Sequence, residues 1–173
     1  VNVGGNITSS PSLPRGSDFL FVGTDDSRLL ALNPTTLATL ATFTVSPADG
    51  PVKGFPVLAS KASPFTIVFS TNGNVSEVTY SGGVTFTSVW KTPITAPSTP
   101  ITSTDVAAVY VGGGDGKIHE LNLGTGVDQK QRLVDAGTTV GDPSLDLFQS
   151  CGGSNCVIAG STDGRVYAFT FPF

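Results

Sequence analysis

The chain of 173 residues has little charge and few of the side chains that catalysis or metal binding requires. Charged residues make up 13% of it, methionine is absent, and there is one histidine, one tryptophan and two cysteines. The nine Lys and Arg residues are scattered and the formal net charge is −4. Nucleic acid is therefore excluded as a partner, because it would require a clustered basic surface. No apolar run reaches the roughly 18 residues of a membrane-spanning helix, so no direct membrane span is predicted.

Turn-forming and strand-forming residues are abundant instead. The chain contains 21 Gly and 12 Pro, together with many Thr, Ser and Val residues, and this mixture favours strands joined by tight turns. No segment has a sustained apolar period of about 3.6 residues with helix caps. We therefore predict almost no helix, in a chain long enough for one domain with a buried core.

A strand–turn–strand pattern occurs four times along the chain. Its clearest copy is VYVGGGDGKIHELNLGTG at residues 109–126, and weaker copies begin at Phe19, Thr66 and Cys156. A second marker, a proline in the first strand of each unit, recurs at intervals of 45, 44 and 43 residues. These prolines are Pro11, Pro56, Pro100 and Pro143. A period of roughly 40–50 residues with several strands per unit is typical of the blades of a β-propeller.

The sequence therefore predicts an all-β fold, a β-propeller of four four-stranded antiparallel blades in a single domain. The blades are expected at about residues 7–46, 52–91, 97–135 and 140–173. The fourth unit ends after its third strand, and residues 1–5 are expected to complete it, because such closure removes exposed sheet edges. Two arrangements remain open, a closed four-blade ring and half of a larger ring. In the second case another chain or another copy would supply the remaining blades.

The turns after the second strands carry a motif. The segments GGGDGKIHELNLGTG at 112–126 and GSTDGRVYA at 160–168 resemble the pyrroloquinoline-quinone-type propeller repeat. That family contains quinoprotein dehydrogenases and also non-enzymatic scaffolds, such as the propeller lipoprotein of outer-membrane protein assembly. The resemblance implies, for the enzymes, calcium-binding carboxylates, a stacking tryptophan and often a disulfide between adjacent cysteines. This chain lacks adjacent cysteines and an Asp-x-Asp-x-Asp-Gly loop, so no cofactor and no metal is predicted.

The two cysteines occur in SCGGSNCVIAG as Cys151 and Cys156, with four small turn-forming residues between them. They are expected at the two ends of a hairpin loop, where a disulfide is geometrically plausible. A disulfide indicates an oxidising compartment, periplasmic or extracellular. The alternative is a pair of free buried thiols in a cytosolic protein.

No catalytic residue is predicted. A Ser-His-Asp triad could use only His119, and the chain has no Gly-x-Ser-x-Gly elbow for the nucleophile. The glycine-rich turn at 112–116 lacks the Gly-Lys-Ser/Thr of a phosphate-binding loop. Trp90, near the end of the fourth strand of its unit, is expected to pack between blades, and stacking on a ligand is the alternative.

One face of the propeller is the candidate interaction surface. In an up-and-down blade, the turns between the second and third strands share a face with the connections between blades, and such loops are where propellers bind partners. Local hydrogen bonding in turns also explains the aspartates. The residues assigned to this face are Asp25, Asn72, Asp115, Asp163, Lys53 and Lys91.

The function expected from these observations is a non-catalytic interaction scaffold in a periplasmic or extracellular assembly, with other protein subunits as partners. Two alternatives are kept. The first is a fragment of a quinoprotein dehydrogenase whose active site lies in blades outside this sequence. The second is a surface adhesin or glycan-binding propeller, with which a Thr-rich surface of low charge is compatible.

Overall fold

The structure is a computed structural model that describes residues 2–13, 18–60 and 62–173, with residue 150 described by its backbone alone. It contains four antiparallel sheets, in each of which the strands pair in chain order. Within the described residues no helix is long and apolar enough to cross a membrane. Val1 and residues 14–17, which fall in the predicted closing segment and first blade, lie outside the described residues.

The sheets are numbered as blades 1 to 4. Blade 1 contains β1 (Leu20–Gly23), β2 (Arg28–Leu32) and β3 (Thr39–Thr44). Blade 2 contains β4 (Lys53–Leu58), β5 (Phe65–Ser70), β6 (Asn74–Tyr80) and β7 (Phe86–Pro93). Blade 3 contains β8 (Ile101–Ser103), β9 (Ala108–Gly112), β10 (Lys117–Asn122) and β11 (Asp128–Leu133). Blade 4 contains β12 (Ser144–Cys151), β13 (Ser154–Gly160) and β14 (Val166–Thr170). A short 3-10 turn, Pro47–Asp49, lies between blades 1 and 2.

Two of the four sheets therefore have three strands rather than the predicted four. In the described part of the innermost segment of blade 1, pairing consists of two isolated bridges, Ile7 with Thr24 and Ser12 with Phe21. The innermost segments of successive blades also touch one another, since Ser10 N donates to Gly54 O at 2.7 Å. In blade 4 the sheet ends at β14, which pairs with β13 alone.

The hydrophobic core lies between the blades. Side chains alternate along each strand, so one set faces the preceding blade and the other faces the following blade. Three buried clusters join blade 1 to blade 2, blade 2 to blade 3, and blade 3 to blade 4. The largest fully buried members are aromatic: Phe21, Phe69, Tyr80 and Tyr110. The third strands of blades 1, 2 and 3 are buried on both faces for the same reason, whereas β14 of blade 4 and the outermost β11 are mostly exposed or half-buried.

In the described residues 2–5, no strand pairs with β14 of the last blade, where the sequence predicted one. Among the described residues of this segment, Val3 packs against blade 1, on a cluster of Val22, Leu30 and Leu32. Its carbonyl accepts a hydrogen bond from Arg28 Nη2 at 3.0 Å. The physical reason is burial of apolar surface, since the Val3 side chain on blade 1 covers Val22, Leu30 and Leu32.

The predicted disulfide is present. Cys151 is bonded to Cys156, with Cα atoms 6.1 Å apart, within the usual range for such bridges. The two cysteines close the hairpin between β12 and β13, whose turn contains Gly152 and Gly153 in the left-handed region, with φ of 66° and 87°. The bridge therefore closes the turn between the first two strands of blade 4.

Candidate interaction face

A single backbone hydrogen bond, repeated in all four blades, builds the candidate face. The amide of the turn after the second strand donates to the carbonyl of the connection that precedes the blade. The pairs are Asp25 N with Asn6 O at 2.9 Å, Asn72 N with Asp49 O at 2.9 Å, Gly114 N with Thr95 O at 2.7 Å, and Thr162 N with Thr139 O at 3.1 Å. These turns and connections therefore share one face, as the up-and-down topology predicted, and each turn is fixed to its connection.

Asp25 is the predicted residue on this face in blade 1. Its carboxylate accepts two hydrogen bonds from Asn6, one from the backbone amide at 3.0 Å and one from Nδ2 at 2.7 Å. Beside it, Asp26 and Arg28 form an ion pair of 2.7 Å. The hydrogen bond from the Arg28 side chain lowers the pKa of Asp26. The turn is thus held by side chains as well as by its backbone.

In blade 2 the predicted residues Asn72 and Lys91 meet at Asp49. The Asp49 carboxylate pairs with Lys91 Nζ at 3.1 Å and accepts from Asn74 Nδ2 at 2.9 Å. Asn72 is exposed, and its side chain lies against Gly50 of the same connection. Lys53, at the start of β4, is also exposed. The structure thus brings Asn72 and Lys91 together around Asp49, a residue that the sequence did not indicate as part of this face.

In blade 3 Asp115 belongs to a polar group built around the buried His119. His119 Nε2 lies 3.2 Å from Asp115 Oδ1, and His119 Nδ1 lies 2.8 Å from Asp128 Oδ2. Lys117 Nζ is 3.5 Å from the other Asp115 oxygen. Burial works against ionisation of Asp115, but the hydrogen bond and charge of His119 and the charge of Lys117 outweigh it, so its pKa is lowered. The histidine therefore joins the turn to the outermost strand.

In blade 4 Asp163 accepts a hydrogen bond from the Tyr167 hydroxyl and another from Arg165 N at 3.0 Å. The hydrogen bond from Tyr167 lowers the pKa of Asp163 and raises that of the tyrosine. The structure thus places one predicted aspartate or asparagine in the corresponding turn of each blade. The three aspartates each have a partner in or beside their own turn.

Trp90 lies at the interface of blades 2 and 3 and is 8% exposed. Its Nε1 donates to Leu123 O at 2.8 Å and to Glu77 Oε2 at 3.1 Å. Its ring covers Gly126, where an added Cβ would lie 2.5 Å from ring carbons. The residue is therefore a contact between blades, with its ring against the backbone of the Thr125–Gly126 turn.

Two buried carboxylates, Glu77 and Glu120, were not anticipated from the sequence. Both have the same position in the third strand of their blade, opposite Val68 and Tyr110 in the register. Glu77 is 5% exposed and receives the Trp90 hydrogen bond. Glu120 is 4% exposed and accepts from Phe173 N at 2.9 Å. A sequence signal did exist, since a glutamate in the middle of an otherwise buried strand needs a donor to offset its burial.

We predict that Glu77→Gln makes the stability of the protein less dependent on pH. Burial raises the pKa of Glu77 from 4.5 to about 7, although the hydrogen bond from Trp90 opposes this. Between these two values the folded chain holds a proton that the unfolded chain has released, so this carboxyl contributes a loss of stability as pH rises through the window. At pH 8 the variant should be more stable than the wild type by about 2 kcal/mol, and near pH 5 the two should be similar.

Urea unfolding at several pH values measures this difference. Asp105→Asn, which removes an exposed carboxylate, serves as the control and should not reproduce the pattern. A Glu77→Gln advantage of the same size at pH 5 and pH 8 would contradict the prediction.

Comparison with known proteins identifies the fold. No protein-family model and no curated protein matches the chain. Among solved structures, BamB from Moraxella catarrhalis is 20% identical, with a TM-score of 0.76 over 98% of this chain and 48% of its own. The computationally designed Ika4 protein is 17% identical, with a TM-score of 0.72 over 98% of this chain and 93% of its own. The Neurospora crassa Pan2 WD40 domain is 16% identical, with a TM-score of 0.68 over 96% and 47%.

These similarities confirm the predicted β-propeller fold. Because the sequence identity is low in each case, the similarities establish the fold alone and assign no activity. The chain spans about half the length of BamB and of the Pan2 chain, and nearly the whole length of Ika4.

Proposed function

We propose that this chain is a non-catalytic interaction scaffold that binds another protein of a periplasmic or extracellular assembly through the candidate interaction face. The observation that carries the proposal is the hydrogen bond repeated between each turn and its connection. It fixes four loops in one surface, and a surface whose loops are already ordered loses little conformational entropy when a partner binds.

The chemistry of the face supports binding rather than turnover. The carboxylates of Asp25, Asp115 and Asp163 accept hydrogen bonds in or beside their own turns, so they act as structural acceptors within separate blades. Around them, exposed groups such as Asn72 and Lys53 offer hydrogen-bond donors to a partner. Such a mixture of fixed backbone and exposed polar side chains is typical of an interface rim.

The disulfide supports a periplasmic or extracellular location. Bridges such as Cys151–Cys156 persist in oxidising compartments and are rare in the cytosol. The pyrroloquinoline-quinone-type motif and the similarity to BamB, itself a propeller, agree with a scaffold of this kind. Together they favour a protein subunit as the partner.

A pair of opposed variants tests the face. A double variant, Asn72→Arg with Lys53→Glu, changes two exposed residues on the candidate face, whereas Thr35→Arg changes an exposed residue in a turn on the opposite face. Proteins bound to the wild type are identified by cross-linking and mass spectrometry in the native compartment, and the partner is then purified for titration. The face variant should raise the Kd by about tenfold or more, and Thr35→Arg should leave it unchanged. Loss of binding with Thr35→Arg alone would overturn the assignment of the face.

A further inference from the structure

The last blade exposes a position that is buried in every other blade. The residue opposite the end of the second strand faces the following blade, and the register assigns Leu29, Val75, Ile118 and Val166 to it. The first three are fully buried between blades, whereas Val166 is 75% exposed. Ala168, two residues further along β14, is exposed as well. We call this surface of β13 and β14 the outgoing face of blade 4.

The first blade has the complementary surface at the other end of the arc. A groove of about 270 Å³ is lined by seven apolar residues, Val3, Ile7, Pro11, Leu20, Val22, Leu32 and Leu37. By register, Leu20 and Val22 have the positions that Val109 and Val111 have in blade 3, where they contact blade 2. Ile7 and Leu37 are 54% and 40% exposed. We call this groove the incoming face of blade 1.

The two end faces also match in what they lack. In blade 3 the turn residue Gly126 receives Trp90 of the preceding blade. The corresponding residue of blade 1 is Leu37, with the same hydrogen bond to the asparagine four residues earlier and a φ of 59° against 69°. Its side chain lines the groove, whereas a Cβ at the corresponding Gly126 would meet the Trp90 ring. Among the described residues, the sheet of blade 4 contains β12, β13 and β14, and the strand that carries Trp90 in blade 2 has no counterpart there.

We propose that two copies of this chain pack head to tail, with the outgoing face of blade 4 of each on the incoming face of blade 1 of the other. The two contacts close a ring of eight blades. Each repeats the apolar packing already present three times within the chain, and closure buries both end faces at once. One copy spans about half of the propeller BamB, so two copies supply a ring of that size. The inference is independent of the proposed function.

Light scattering coupled to gel filtration, over a dilution series, tests the proposal on the 173-residue chain. The expected mass is twice 17.7 kDa. Val166→Lys and Leu37→Lys place a charge on the outgoing and incoming face respectively, and each should raise the Kd of the dimer by about 100-fold or more. Val84→Lys is the matched control, since Val84 is 78% exposed in a turn of blade 2, and it should remain a dimer.

The outcomes separate the possible occupants of the end faces. A monomer at all concentrations would overturn the proposal and would favour blades from a different polypeptide or from elsewhere in the same one. A dimer broken by one of the two variants but not by the other would also overturn it, because a head-to-tail ring uses both faces. Masses above a dimer would show that the contact does not close after two copies. Circular dichroism of each variant confirms that it is folded, which is expected at these exposed positions.

Discussion

Gly116→Ala is expected to destabilise the protein by about 2–4 kcal/mol, whereas Gly164→Ala should cost only about 1 kcal/mol. The two glycines follow Asp115 and Asp163 in corresponding turns and have nearly the same backbone conformation, with φ of 79° and 82°. A Cβ on Gly116 would lie 2.0 Å from the carbonyl oxygen of Asp135, whereas a Cβ on Gly164 would meet nothing within 4 Å. The difference between the two free-energy costs therefore measures the effect of the close contact between the connection and the turn at Gly116.

The connection cannot move away at Gly116 without losing hydrogen bonds. Val134 N donates to Gly116 O at 2.9 Å, and Asp135 N approaches the same oxygen at 3.3 Å. Denaturation by urea, with a common m-value for the three proteins, gives the two free-energy differences. Equal costs for the two substitutions would contradict the prediction, because they would show that the positive φ alone sets the penalty and that the close approach of the connection adds nothing.

The second large effect is expected for Trp90→Ala, which should destabilise the protein by about 3–5 kcal/mol. The substitution empties the space between blades 2 and 3, and it also removes the donor that serves Leu123 O and the buried carboxylate of Glu77. Trp90→Phe keeps most of the packing but loses both hydrogen bonds, so an intermediate cost of about 1–2 kcal/mol is expected.

Val89→Ala is the control for this position. It truncates the neighbouring residue of β7, which is 45% exposed, and should change the free energy of unfolding by less than about 0.5 kcal/mol. If Trp90→Ala costs no more than Val89→Ala, the tryptophan does not hold the two blades together. Packing between the blades would then not explain why a tryptophan lies at this position.

The features that could be predicted from sequence are those that local chemistry specifies. Asp115–Gly116 and Asp163–Gly164 mark hairpin turns because a residue with positive φ is needed there, and the spacing of the prolines gives the period of the blades. The cysteines could be paired because the turn between them is short. These signals depend on a few neighbouring residues, so they survive in a single sequence.

The features that were missed depend on what lies across a blade interface. The burial of β6 and β10, which carry Glu77 and Glu120, follows from neighbouring blades on both faces and not from alternation along the strand. The partners of His119 come from the turn and from β11, nine residues away. For residues 1–5 the sequence predicted that they complete the last blade. The observed contact of Val3 is with Val22, Leu30 and Leu32 of blade 1, which lie far from it in the sequence.

The sequence by itself determined the all-β fold, the four repeated units, the turns and the pairing of the two cysteines, because each arises from local backbone preferences repeated along the chain. Only the tertiary structure decided how the units meet. It placed Trp90 against Gly126 and left Val166 exposed at a position buried in the other three blades. The physical reason is that the alternation of residues along a strand shows which of its faces is apolar. The element that covers that face comes from a distant part of the chain or from another copy of it.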